Sequence, residues 1–128
     1  MIKRSVKIEL GGVEREVKFT IAALEELESL LPRRNVFALL SSEQWGITDI
    51  ISAAYCGLKA CDRKISRQST AQWVAEYAAG DKGIYDLRLR LLAAIGLSGL
   101  VGGEKSAFEN ILNTLDDSRE EEADEAKK

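Results

Sequence analysis

The feature that most constrains this chain is an alternating segment that runs without a spacer into an amphipathic one. Val6, Ile8 and Leu10 alternate with Lys7 and Glu9, and Val13, Val17 and Phe19 alternate with Glu14, Glu16 and Lys18. A period of two in both arms predicts two half-buried strands. Gly11-Gly12 supplies the two turn residues, where positive φ is sterically cheap only for glycine. That turn opposes Leu10 to Val13, Val6 to Val17, Lys7 to Glu16 and Glu9 to Glu14, and leaves Arg15 opposite Ile8 as the one charge on the apolar face; the mildly unfavourable Glu9–Glu14 pair leaves a slipped or bulged register as the alternative. Thr20 then predicts a helix N-cap, with Phe19 placed to reach Leu24 as a hydrophobic staple. Ile21, Leu24, Leu27 and Leu31 form the apolar stripe of the first helix, and Pro32 ends it near residue 30.

Downstream, Val36-Phe37-Ala38-Leu39-Leu40 predicts one or two helical turns and a connector. The next helix starts near Thr48, with Ile47, Ile51, Ala54, Leu58 and Cys61 on one face and Ile50 widening it. Gly57 inside it costs about 1 kcal/mol relative to alanine unless another backbone packs close there. Ser69 with Gln72 predicts the cap of a third helix through Trp73, Val74 and Tyr77, terminated at Gly80. A fourth spans about Asp81 to Ile95, with Ile84, Leu87, Leu91 and Ile95 in line and Leu89 and Leu92 beside them, and reads as the central core helix. Gly96, Gly99, Gly102 and Gly103 break the pattern before Ser106 and Glu109 predict a cap for a helix carrying Phe108, Ile111, Leu112 and Leu115. The expected fold is α+β, an N-terminal hairpin packed on a bundle of four to five helices. Residues 1–115 form its single domain, and 116–128 an acidic tail, disordered or a frayed helix.

The 128 residues suit one core. No apolar run approaches the ~20 residues of a membrane span, and nothing at the start reads as a signal peptide, so the expected location is the cytoplasm. The net charge of -3 is uneven: residues 116–128 hold seven acidic and three basic side chains, which leaves the body close to neutral. A neutral body gives little reason to bind nucleic acid.

Reactive chemistry is sparse. There is no histidine, which excludes Ser-His-Asp, Cys-His and histidine-containing zinc sites and removes the commonest general base. Cys56 and Cys61, five apart on a helix, read as small apolar residues. Gly99-Leu100-Val101-Gly102-Gly103-Glu104-Lys105-Ser106 has the glycines of a phosphate loop, but Glu104 stands where glycine should precede the lysine, and it follows a helix where such a loop follows a strand. It reads as a linker. Lys59, Arg63, Lys64 and Arg67 read as cations complementing a helix C-terminus, and Glu25, Glu26 and Glu28 as a solvated helix face. Trp45, Trp73, Tyr55, Tyr77 and Tyr85 read as core or core rim, with room for one exposed aromatic to anchor a partner. No catalytic, cofactor-binding or metal-ligating residue is assigned, and the expectation is of a protein that is not an enzyme.

The order of parts resembles the tail assembly chaperones of long-tailed phages, in the branch found in gene transfer agents and prophages. The resemblance covers roughly residues 5–95. It rests on the hairpin around Leu10-Gly11-Gly12, on Val17-Lys18-Phe19-Thr20-Ile21-Ala22-Ala23-Leu24-Glu25-Glu26-Leu27-Glu28, and on the helix with Ala53-Ala54-Tyr55-Cys56-Gly57-Leu58. It implies a small cytoplasmic protein of the bacterial host, made during virion morphogenesis and absent from the mature virion. Such a protein binds the tape-measure protein and assists polymerisation of tail-tube subunits, with no enzyme activity, cofactor, nucleic acid or membrane partner. It is compatible with a homo-oligomer, and some relatives carry a frameshifted extension. Two alternatives stand beside it: a structural tail component of the virion, and a small DNA-binding regulator using Lys59, Arg63, Lys64 and Arg67.

Overall fold

Gly11 and Gly12 both have positive φ, 65° and 76°, the combination a tight two-residue hairpin turn requires. In a computed structural model of the chain, they join β1 (Ser5–Leu10) to β2 (Val13–Lys18) as an antiparallel pair. The structure describes residues 5–31 and 35–126, without the side chains of 105 and 117–126. The register is Leu10 to Val13, Ile8 to Arg15, Val6 to Val17, Lys7 to Glu16 and Glu9 to Glu14, as the alternation and the glycine turn dictate. Val6, Ile8, Leu10 and Val17 are buried.

Phe19 is buried and Thr20 caps α1 (Ile21–Leu30), its hydroxyl accepting from the Ala23 N–H at 3.1 Å. Ala23, Leu24, Leu27 and Leu31 face the core, but Ile21, placed on that stripe by sequence, is 62% exposed. It occupies the first helical position, where the chain has only just left the hairpin, and Ala23 takes the inward place instead. Pro32 lies outside the described residues.

The short apolar cluster forms α2 (Val36–Ser41), capped by the Asn35 side chain accepting from the Ala38 N–H. With this short helix the described residues hold six helices, against about four to five expected. In α3 (Ile47–Lys59) the Gly46 N–H donates to Asp49 Oδ2 at 2.8 Å. The inward face is Ile50, Ala53, Ala54, Gly57 and Leu58, rotated from the expected one. Ile47 is 61% exposed, and Cys61 lies exposed beyond the last turn. The rotation has a cause: α3 sits on β2 through Gly57, where an added Cβ would run into Val17 and stand 3.0 Å from Phe19 Cζ.

The N-cap of α4 (Arg67–Ala79) lies three residues before the expected one. Ser66, not Ser69, is the N-cap, and its hydroxyl accepts from the Ser69 N–H. Gly80 ends the helix, its N–H donating to the Tyr77 carbonyl. α5 (Gly83–Leu97) is the central helix, with Leu87, Leu91, Ala94 and Ile95 wholly buried against both strands and against α3, α4 and α6. Gly96 falls inside it, contrary to its reading as a break, because the Phe108 ring occupies the space a Cβ would need.

α6 (Lys105–Ala126) begins before Ser106, so Ser106 is not its cap; the Ala107 N–H donates to the Glu104 carbonyl instead. Apart from Asp116, the side chains of the expected acidic tail lie outside the described residues. No described helix is long and apolar enough to cross a membrane.

Candidate binding surfaces

Two sites stand out, and both are built on α5 by arginines two residues apart, which the helix sends in different directions. Arg88 and Arg90 are each 6% exposed, a rare condition for arginine unless its charge is answered by neighbours. Arg90 is answered by carboxylates. Its Nε donates to Asp86 Oδ1 at 2.7 Å one turn back, and its Nη2 donates to Asp116 Oδ1 of α6 at 3.1 Å. The Tyr77 hydroxyl of α4 donates to the same Asp86 oxygen, so three helices meet in one polar network. Burial pulls the Arg90 pKa down, but Asp86, Tyr77 and Asp116 more than reverse this and leave it above its ordinary value. Burial, and then Asp86, push the Tyr77 phenol up. Both stay protonated at neutral pH, and the network is structural in character.

Tyr77 and Arg90 lie at the back of a cleft of about 600 Å³ between β1 and α6, a volume in the range of ligand-binding clefts. Consecutive β1 residues Ser5 to Glu9 form one wall, and Glu109, Leu112, Asn113 and Asp116 of α6 form the other. α5 packs against both elements and closes the floor. Glu14 and Glu16 reach the rim from β2. Five carboxylates (Glu9, Glu14, Glu16, Glu109, Asp116) face three cations (Lys7, Lys82, Arg90), so the cleft is acidic.

Arg88 is answered by rings. Its guanidinium carbon lies 5.6 Å from the centre of Trp45 and 5.3 Å from that of Tyr85, and its Nη2 donates to the Ser42 carbonyl at 3.0 Å. Its Nε is buried without a hydrogen-bond partner. Trp45 Nε1 in turn donates to the Leu39 carbonyl, so the connector after α2 is pinned to α5 by an aromatic-cation stack. Tyr85 is the exposed aromatic among the five singled out in the sequence; Tyr77 is buried and Trp45, Trp73 and Tyr55 are half-buried.

The other candidates dissolve into local structure. Lys59 pairs with Glu26 at 3.0 Å and lies over Tyr55, and its pKa is raised by those hydrogen bonds, Glu26 first. Arg67 Nη1 donates to the buried Ser52 hydroxyl. Two of the four cations in the basic run are therefore committed within the fold, while Arg63 and Lys64 are exposed. The glutamates of α1 diverge: Glu26 holds Lys59, Glu28 accepts from the Val36 N–H at 3.0 Å to tie α1 to α2, and Glu25 is exposed. Both cysteines are free. Burial, then Glu26, pushes the Cys56 thiol up to about 12, and burial, then Glu16, raises Cys61. Neither thiol is activated. Gly99 and the glycines at 102 and 103 turn the chain between α5 and α6 with positive φ. Among the described residues, no three His, Cys, Asp or Glu side chains converge to hold a metal ion.

Sequence reading passed over Arg88 and Arg90 because a charged residue is counted as solvent-facing. The available signal was Asp86 four residues before Arg90, an intrahelical ion pair within the helix that reads as the central core helix.

No family model, curated protein or solved structure matches the chain.

Proposed function

We propose that this protein is a tail assembly chaperone of a phage or prophage-like element, acting in the bacterial cytoplasm without catalysis. It binds the tape-measure protein and assists the tail-tube subunits that polymerise around it. The observation that carries the reading is the resemblance of the hairpin, its junction into α1 and the small-residue α3 with Gly57 to that family. The way these parts fit supports it: Gly57 is the point where β2 rests on α3, so the residues that carry the resemblance form one packed unit. A holding function also needs surface more than reactive groups, and the chain exposes Ile21, Phe37, Ile47 and Tyr85.

The test is to follow the chain through assembly. Mass spectrometry of lysates taken during particle production should find it bound to the tape-measure product, and purified particles should lack it. Stoichiometric presence in purified particles would turn the reading into that of a structural tail component.

A further inference from the structure

We propose that the free edge of β1 is a docking site for an extended, Lys- or Arg-bearing segment of a partner protein, which adds to the hairpin as a third strand inside the cleft. The proposal does not rest on the tail-assembly reading.

The register fixes which backbone groups are available. With Gly11-Gly12 at the turn, Leu10, Ile8 and Val6 exchange hydrogen bonds with Val13, Arg15 and Val17, so the N–H and C=O groups of Glu9, Lys7 and Ser5 point away from β2. Among the described residues, none of these three makes a backbone hydrogen bond outside the hairpin. An edge of this kind is a template for another strand unless something covers it.

The cleft lies along that edge. Ser5 to Glu9 of β1 line it without a break, Val6 and Ile8 of the inner face together with Lys7 and Glu9 of the outer face, as a space that follows the strand edge requires, and Glu14 and Glu16 of β2 border it across the outer face. α6 forms the opposite wall, which leaves the edge open but bounded, the arrangement in which strand addition is selective. The acidic excess of the lining sets the occupant's chemistry: alternating apolar side chains to lie against Leu97 and Leu112, and cationic ones to meet Glu9 and Glu109. A second copy of β1 carries one lysine and one glutamate, no net positive charge to answer that excess, and is the poorer match.

The probe is a capped ten-residue peptide alternating valine and lysine, titrated into the full chain by amide NMR. The expected result is that the Lys7 and Glu9 amides shift and exchange more slowly on binding. The same peptide N-methylated on alternate residues, and a version with glutamate for lysine, should bind at least tenfold more weakly. Lys7→Pro removes an outward N–H without touching the ladder and should weaken binding at least tenfold, whereas Lys7→Ala should not. Because the N-methylated peptide tests the same bonds on the unaltered protein, the proposal stays falsifiable even if the proline variant unfolds. Absence of binding, equal binding of the N-methylated peptide, or equal loss in both Lys7 variants would overturn it. Protection of these amides that grows with protein concentration in the absence of peptide would assign the edge to a second copy and also overturn it.

Discussion

The Arg15 guanidinium lies 3.8 Å from the centre of the Trp73 ring, and the same ring lies against the hairpin turn at Gly11. Arg15 is the charge that alternation places on the apolar side of β2. It is accommodated by donating from Nε to the Leu10 carbonyl at 2.9 Å and by covering the indole, a cation-ring contact worth about 0.5–2 kcal/mol. One α4 residue thereby fixes the turn and absorbs the misplaced charge.

Gly11→Ala should therefore be more damaging than Gly12→Ala. Both glycines have positive φ, which costs an L residue about 1–2 kcal/mol. At Gly11 the new Cβ would also stand 2.6 Å from Trp73 Nε1, while at Gly12 it meets open space. Urea unfolding should rank the two variants in that order. In a Trp73→Ala background the difference between them should vanish, and its persistence would contradict the packing described.

Gly57→Ala tests the junction of α3 and β2. Helix propensity favours alanine by about 1 kcal/mol, but the added methyl meets Val17 and Phe19, and overpacking typically costs about 1–3 kcal/mol. The expected outcome is net destabilisation, relieved when Val17→Ala is added to make room. A stabilised single variant would mean that the strand does not rest there.

The hairpin was legible from sequence because its two constraints are local: alternation sets the faces and Gly11-Gly12 sets the register. Rotation of α3 was not, because periodicity weighs large side chains such as Ile47 and Ile51, while the helix turns its small residues Ala53 and Gly57 to the sheet. The start of α4 was misjudged because Ser66 and Ser69 both fit a cap, and only the three-dimensional path shows Ser69 giving its N–H to Ser66. The cleft was hidden because it depends on α6 standing across from β1, and on Arg90 reaching Asp116 over twenty-six residues.

Gly96→Ala should loosen α6 specifically. Phe108 fills the space over Gly96, so an alanine there must expel the ring from the α5 surface. Hydrogen exchange should rise across 105–116 while the amides of β1 and β2 keep their protection. Equal loosening of the hairpin would contradict this.

Alkaline pH should destabilise the fold, in part through Cys56. Its folded-state pKa of about 12 lies above the ordinary 9.0, so its contribution is complete below pH 9 and is lost as pH rises towards 12. In that window the unfolded state has released a proton that the folded state holds, and stability falls by up to about 1.4 kcal/mol per pH unit for one such group. Tyr77, also raised, adds to the fall above about pH 10. Cys56→Ala should flatten the stability profile between pH 9 and 10, whatever it does to stability at neutral pH. An unchanged slope would remove Cys56 as a cause.

The most direct measurement is the soluble yield of the tape-measure protein that the proposed role makes its partner, expressed with and without this chain in the same cells. Co-expression should raise the soluble fraction several-fold, and the two proteins should elute together by size-exclusion chromatography. An unchanged soluble fraction with no co-elution would contradict the proposed role.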